Sequence, residues 1–119
     1  MTISFGHNRP WGGVSQHEYR RMAQHPGHPL AYRVHFAAIG WADRQGHAAF
    51  EPGRLAVLLG KEGKEGKPLS DQSTRNAVAR AKELDLVSSR SGAACLVLPS
   101  HLFQKGKGAP VPCRLHQDR

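Results

Sequence analysis

The sequence predicts a mainly α-helical fold with one small β-hairpin, an extra helix on the N-terminal side and an irregular C-terminal tail. Three observations predict it. Four stretches carry apolar residues at helical spacing together with start or stop residues. Two short apolar runs in the last third flank a glycine-containing turn. Both ends are rich in Gly, Pro and His without any period. A chain of 119 residues fits one domain with a single modest core. We divide it into an arm and short helix over 1–28, a compact domain over 29–99, and a Gly/Pro-rich basic tail over 100–119.

Charge narrows the partners. Seventeen Lys and Arg against nine Asp and Glu give +8 with histidines neutral, and eight histidines add to this below neutral pH. A polyanion is the expected partner, nucleic acid first. No apolar run approaches a membrane span, and no basic amphipathic helix has the wide apolar face that membrane-surface binding needs, so no membrane partner is expected. Residues 1–6 lack the basic start and apolar run of a signal peptide, which makes the expected location cytoplasmic. In that compartment the two cysteines are better read as free thiols or metal ligands than as a disulfide. No carboxylate pair or nucleophile stands at a spacing that would assemble a reaction centre, so an enzyme is not expected.

Residues 1–13 read as an irregular arm anchored by Trp11, with Arg9 beside it. Ser15 as N-cap, Glu18 for a capping box and Val14 opposite Tyr19 as a staple start a helix at Gln16 that runs to about Gln24. The segment His25-Pro26-Gly27-His28-Pro29 stops it. Pro29 then opens a second helix to Ala42, apolar on most of its circumference and therefore central to the core, with Gly46 suited to a left-handed end. Residues 47–50 are short enough only for an extended connection or a small strand. A third helix is expected over 51–60, with Pro52 in its first turn, Leu55, Leu58 and Leu59 buried, and Gly60 closing it.

The stretch from Ser70 to Leu84 is the most informative. With Ser70 as N-cap, a helix over 71–84 places Thr74, Ala77, Val78, Ala81 and Leu84 on one face and Gln72, Arg75, Asn76, Ala79 and Glu83 on the other. Gln, Arg and Asn are the side chains that pair with base edges, and Ala79 keeps the face low enough to approach a groove floor. The same pattern also describes an ordinary solvated helix face. Before it, the run Lys61-Glu62-Gly63-Lys64-Glu65-Gly66-Lys67-Pro68 reads as a solvated loop whose lysines can reach phosphate. After it, residues 86–89 and 94–98 are two extended candidates joined through Arg90-Ser91-Gly92-Ala93, a hairpin with Arg90 near its tip.

Helix, short strand, helix, reading helix and hairpin in this order resemble the winged helix-turn-helix family over residues 29–99. The full chain is similar to small DNA-binding proteins of actinobacteria and their phages. The resemblance rests on Leu55-Ala56-Val57-Leu58-Leu59-Gly60, on Arg75-Asn76-Ala77-Val78-Ala79-Arg80-Ala81 and on Cys95-Leu96-Val97-Leu98-Pro99. Its loop between the paired helices is longer than the usual turn. The resemblance implies sequence-specific binding of double-stranded DNA, with Gln72, Ser73, Arg75, Asn76, Ala79 and Arg80 on a recognition helix over 71–84. The wing, 88–94, would contribute Arg90, and Lys61, Lys64 and Lys67 would contact the backbone. A transcriptional regulator, or a replication or recombination accessory factor of a phage or plasmid, is the expected role, with a homodimer possible and no small-molecule effector. The alternative is a winged-helix protein-interaction module with only non-specific affinity for nucleic acid.

Cys95, His101, Cys113 and His116 supply two thiolates and two imidazoles, the donor set of a closed structural zinc site that would pin the tail. The competing reading is a buried strand cysteine followed by a basic tail. No other cofactor is expected.

Overall fold

The computed structural model describes residues 3–60 and 67–104. Among them, four helices and two short strands follow in the order α1 (Gln16–Ala23), α2 (Leu30–Gly40), β1 (His47–Ala49), α3 (Arg54–Leu59), α4 (Asp71–Glu83) and β2 (Cys95–Val97). The mainly helical class with a small antiparallel sheet is thus observed, and the three-residue strands make that sheet minimal.

Local chemistry sets the helix ends. Ser15 Oγ accepts the Glu18 N–H at 3.2 Å, the first half of a capping box. The Glu18 carboxylate does not complete the box; it pairs with Arg21 at 2.9 Å. Val14 remains 57% exposed, so the expected staple against Tyr19 does not bury it. Pro29 is the N-cap of α2 and not its first residue, so the helix begins at Leu30, one residue later than expected. The second helix ends sooner than expected, at Gly40, where α1 crosses it so closely that a Cβ on Gly40 would lie 2.9 Å from the Arg20 nitrogen. Gly46 has the left-handed φ of +81°, but it serves a turn from Asp43 into β1 instead of a helix end. Asp43 Oδ1 fixes that turn by accepting the N–H groups of Gln45 and His47. The third helix begins at Arg54, three residues later than expected, since Gly53 at φ +80° departs from helical geometry.

The core forms where α2 is covered by α1, α4 and the sheet. Val34, Ala37 and Ala38 of α2 are fully buried against Leu55, Leu58 and Leu59 of α3, Ala77, Val78 and Ala81 of α4, and Leu96 of β2. Each buried leucine contributes about 1.5–3 kcal/mol relative to exposure. The extra helix α1 belongs to this domain: Gln16 Nε2 donates to the carbonyls of Ile39 and Ala42, and Arg20 Nε to Gly40. A cation at the negative end of α2 is favourably placed, and the same guanidinium lies 5.2 Å from the centre of the Trp41 ring.

The hairpin requires correction. On one edge β2 pairs antiparallel with β1, in the register His47 to Val97, Ala48 to Leu96 and Ala49 to Cys95, but on its other edge residues 86–89 do not form a strand opposite 94–98. The reason lies in Ser91, whose buried hydroxyl accepts the Val97 N–H at 2.8 Å and donates to the Val97 carbonyl at 3.2 Å. A side chain thereby takes the place of a second backbone ladder. Ser88 N–H still donates to the Val97 carbonyl, and Gly92 and Cys95 exchange both backbone bonds. The wing segment is an irregular loop closed at its base and near its tip.

Candidate nucleic-acid interface

The fourth helix owes its position to its cap and its small inner face. Ser70 Oγ accepts the Ser73 N–H at 3.1 Å, and Thr74, Ala77, Val78 and Ala81 are buried. Leu84, expected on the same face, is 38% exposed because the helix gives way there to Asp85, whose φ is +59°. The opposite side carries Gln72, Arg75, Asn76, Ala79 and Arg80, all exposed, with Ser73 half-buried at the edge.

Three of these side chains already form one network. Gln72 Nε2 donates to Asn76 Oδ1 at 2.8 Å, and Gln72 Oε1 accepts from Arg75 Nη2 at 3.0 Å. The spacings of three and four residues bring them together over one turn of the helix. Such a network limits the rotamers available and presents donors and acceptors in a fixed arrangement beside the positive end of the helix dipole. Arg80 pairs with Glu83 at 3.0 Å, an exposed pair whose bond yields readily to a competing phosphate.

The surroundings of this face include residues 93 and 94 of the wing segment. A cleft of about 230 Å³ runs between the start of α3, Thr74 and Arg75 of α4, and Ala93 and Ala94 of the wing. Arg90 is exposed on that wing, its N–H held by Ser88 Oγ. Lys67 is exposed just before α4, while Lys61 and Lys64 lie outside the described residues. Gly60 explains how the chain turns so closely here: a Cβ would run into the backbone of Lys67 and Leu69, and Leu69 N–H donates to the Ala56 carbonyl at 2.9 Å.

The cysteine and histidine residues are placed differently from the expected zinc set. Cys95 is buried on the sheet, and the imidazole beside its sulfur is that of His47 from the paired strand, Sγ to Nδ1 3.8 Å. His101 instead lines a groove with the N-terminal arm. Cys113 and His116 lie outside the described residues, and among the described residues no group of three or more His, Cys, Asp or Glu is arranged to hold a metal.

Two features escaped the sequence reading. Arg33 is fully buried and donates to the Ala23 carbonyl at 2.8 Å and the Leu58 carbonyl at 3.3 Å, joining the ends of α1 and α3 through α2. Its spacing from Leu30 and Ala37 was the available signal. The other is an apolar groove of about 630 Å³ between the arm, α1, α2 and residues 101–104. Trp11 lines it and stays 56% exposed, so it does not pack the arm down. His35 forms part of the wall. Burial lowers its pKa from 6.5, against a smaller upward effect of the bond from Nδ1–H to the Leu86 carbonyl at 2.8 Å.

No helix among the described residues is long and apolar enough to cross a membrane. Comparison with protein-family models, curated proteins and solved structures finds no match to this chain.

Proposed function

We propose that the protein binds double-stranded DNA sequence-specifically through a winged helix-turn-helix, with α4 as the helix that enters the major groove. The observation that carries this reading is the two-sidedness of α4. Its inner face is buried on small residues while its outer face displays Gln72, Arg75, Asn76 and Arg80 around the low Ala79. Arg75 and Asn76 read base edges, Gln72 holds them in register, and Ser73 and Arg80 meet the flanking backbone.

Topology and charge support the same reading. The strand between α2 and α3 pairs with the strand that follows residues 88–94, and Ala93 and Ala94 share a cleft with Thr74 and Arg75 of α4, which supports a winged arrangement. Arg90 on the wing and Lys67 before α4 extend the contact to phosphates, and a net charge of +8 supplies the salt-dependent affinity. A small regulator, or an accessory factor in replication or recombination, is the role that such a single compact reader fits.

Selection of bound sequences from a random duplex library, followed by titration against salt, tests the proposal. A recovered consensus with strong discrimination is expected, and its symmetry would report whether two copies bind together. Recovery of no consensus, with binding lost at moderate salt, would overturn base reading by α4 and favour a protein-interaction module.

A further inference from the structure

We propose that the groove between the N-terminal arm and residues 101–104 is a binding site for a small aromatic carboxylate. This is independent of the nucleic-acid reading, and its test contains no DNA.

Size and lining define the ligand. The volume of about 630 Å³ falls within the range of roughly 300–1,000 Å³ usual for small-molecule sites. Phe5, Trp11, Tyr19, Ile39 and Phe103 form apolar walls, and four of these five are aromatic. Flat rings gain from edge and offset contacts with such walls, which favours an aromatic body over a flexible alkyl chain. The polar groups at the groove are Arg9, Gln16, His35, His101 and Gln104, and no Asp or Glu is among the described residues that line it. A cation without a neighbouring carboxylate complements an anion, and the guanidinium of Arg9 matches a carboxylate in two parallel bonds.

The two sides of the groove are also joined to each other without a ligand. Ser4 N–H donates to Gln104 Oε1 at 3.0 Å, and Gln104 Nε2 donates to the Ser4 carbonyl. Two bonds between residues a hundred positions apart tie the two walls together. Pre-organisation of this kind reduces the ordering cost of binding.

The test is calorimetric titration of the full chain with 2-naphthoate and with its neutral analogue 2-naphthylmethanol. The carboxylate is expected to bind at least about tenfold more tightly, the effect of one charge-assisted contact at a partly exposed site. Nuclear magnetic resonance should show the Trp11 indole N–H among the signals that move. Arg9→Gln should lower naphthoate affinity to that of the alcohol without changing thermal unfolding, and Trp11→Ala should weaken both compounds. Equal affinity for the two compounds, no binding of naphthoate up to about 1 mM, or an unaltered preference in Arg9→Gln would each overturn the proposal. So would self-association of the protein through this face that excludes both compounds.

Discussion

Arg33 shows how a charged side chain becomes a core residue. It has no solvent exposure, yet its Nε and Nη2 donate to carbonyls at the ends of α1 and α3, where helices leave acceptors unpaired. Arg33→Ala should therefore cost about 3 kcal/mol or more, combining an apolar cavity with unsatisfied buried carbonyls. Urea denaturation measures this, and a loss under about 1 kcal/mol would refute the assignment. Arg33→Lys should recover only part of the loss, since an ammonium cannot span both acceptors as the fork does. His35 makes a pH-dependent contribution of known sign. Its folded pKa is lowered below 6.5, chiefly by burial, so the unfolded chain takes up the proton first. Its contribution is complete at neutral pH and is lost as the pH falls through 6.5 toward the folded value. Thermal unfolding should accordingly move to lower temperature between about pH 7.5 and about pH 5, and His35→Gln should flatten that dependence. An equally steep dependence in the variant would assign the effect to other histidines.

At the scale of elements, the joint between α3 and α4 is set by backbone proximity at Gly60. Gly60→Ala should destabilise by about 1–3 kcal/mol through overpacking and should speed exchange of the Leu69 amide, which is bonded to Ala56. Gly53→Ala makes the contrast: nothing lies within 4 Å of its Cβ, so only the left-handed φ of +80° costs, about 1 kcal/mol. Comparable losses at the two sites, with the Leu69 amide unchanged, would remove the close approach as an explanation. For α4, Arg75→Ala should weaken binding to the selected DNA site by about 1–3 kcal/mol and relax preference at one base position. Equal losses on selected and random duplexes would assign Arg75 to phosphate. The helix itself was legible because its signals are local: Ser70 as cap, and Thr74, Ala77, Val78 and Ala81 at the spacing of one face. Strand pairing was not legible in the same way. Three-residue strands carry no usable period, and on the edge of β2 away from β1 the Ser91 side chain satisfies Val97 where a backbone ladder with residues 86–89 was expected. Arg33 was hidden for the opposite reason, since charge masks a position whose helical spacing is that of the core. The groove, too, depends on the meeting of Ser4 with Gln104, which no local pattern announces.

At the scale of the whole molecule, the excess of positive charge and the exposed face of α4 bear on different physical questions. Under the proposed function, charge would govern how strongly the protein is drawn to any duplex and how fast that attraction falls with salt, and the α4 side chains would govern which duplex is kept. The two contributions separate experimentally. Each phosphate neutralised contributes about −0.9 to the slope of log affinity against log salt, so replacing Lys61, Lys64 and Lys67 together by Gln should make the slope shallower by roughly two to three units. Affinity should fall to a similar degree on selected and random DNA, because lysines on the backbone carry no sequence information. Lys67 is exposed three residues before the cap of α4, which suits a phosphate contact at the edge of the proposed recognition helix. Arg75→Ala should show the converse pattern, a loss confined to the selected site with a nearly constant slope. An unchanged slope in the triple variant would leave that segment as a connection between α3 and α4, and phosphate contact would then rest on Arg80 and Arg90. Simultaneous collapse of slope and specificity in either variant would mean that the face and the loop do not act separately, and the division between attraction and reading would fail.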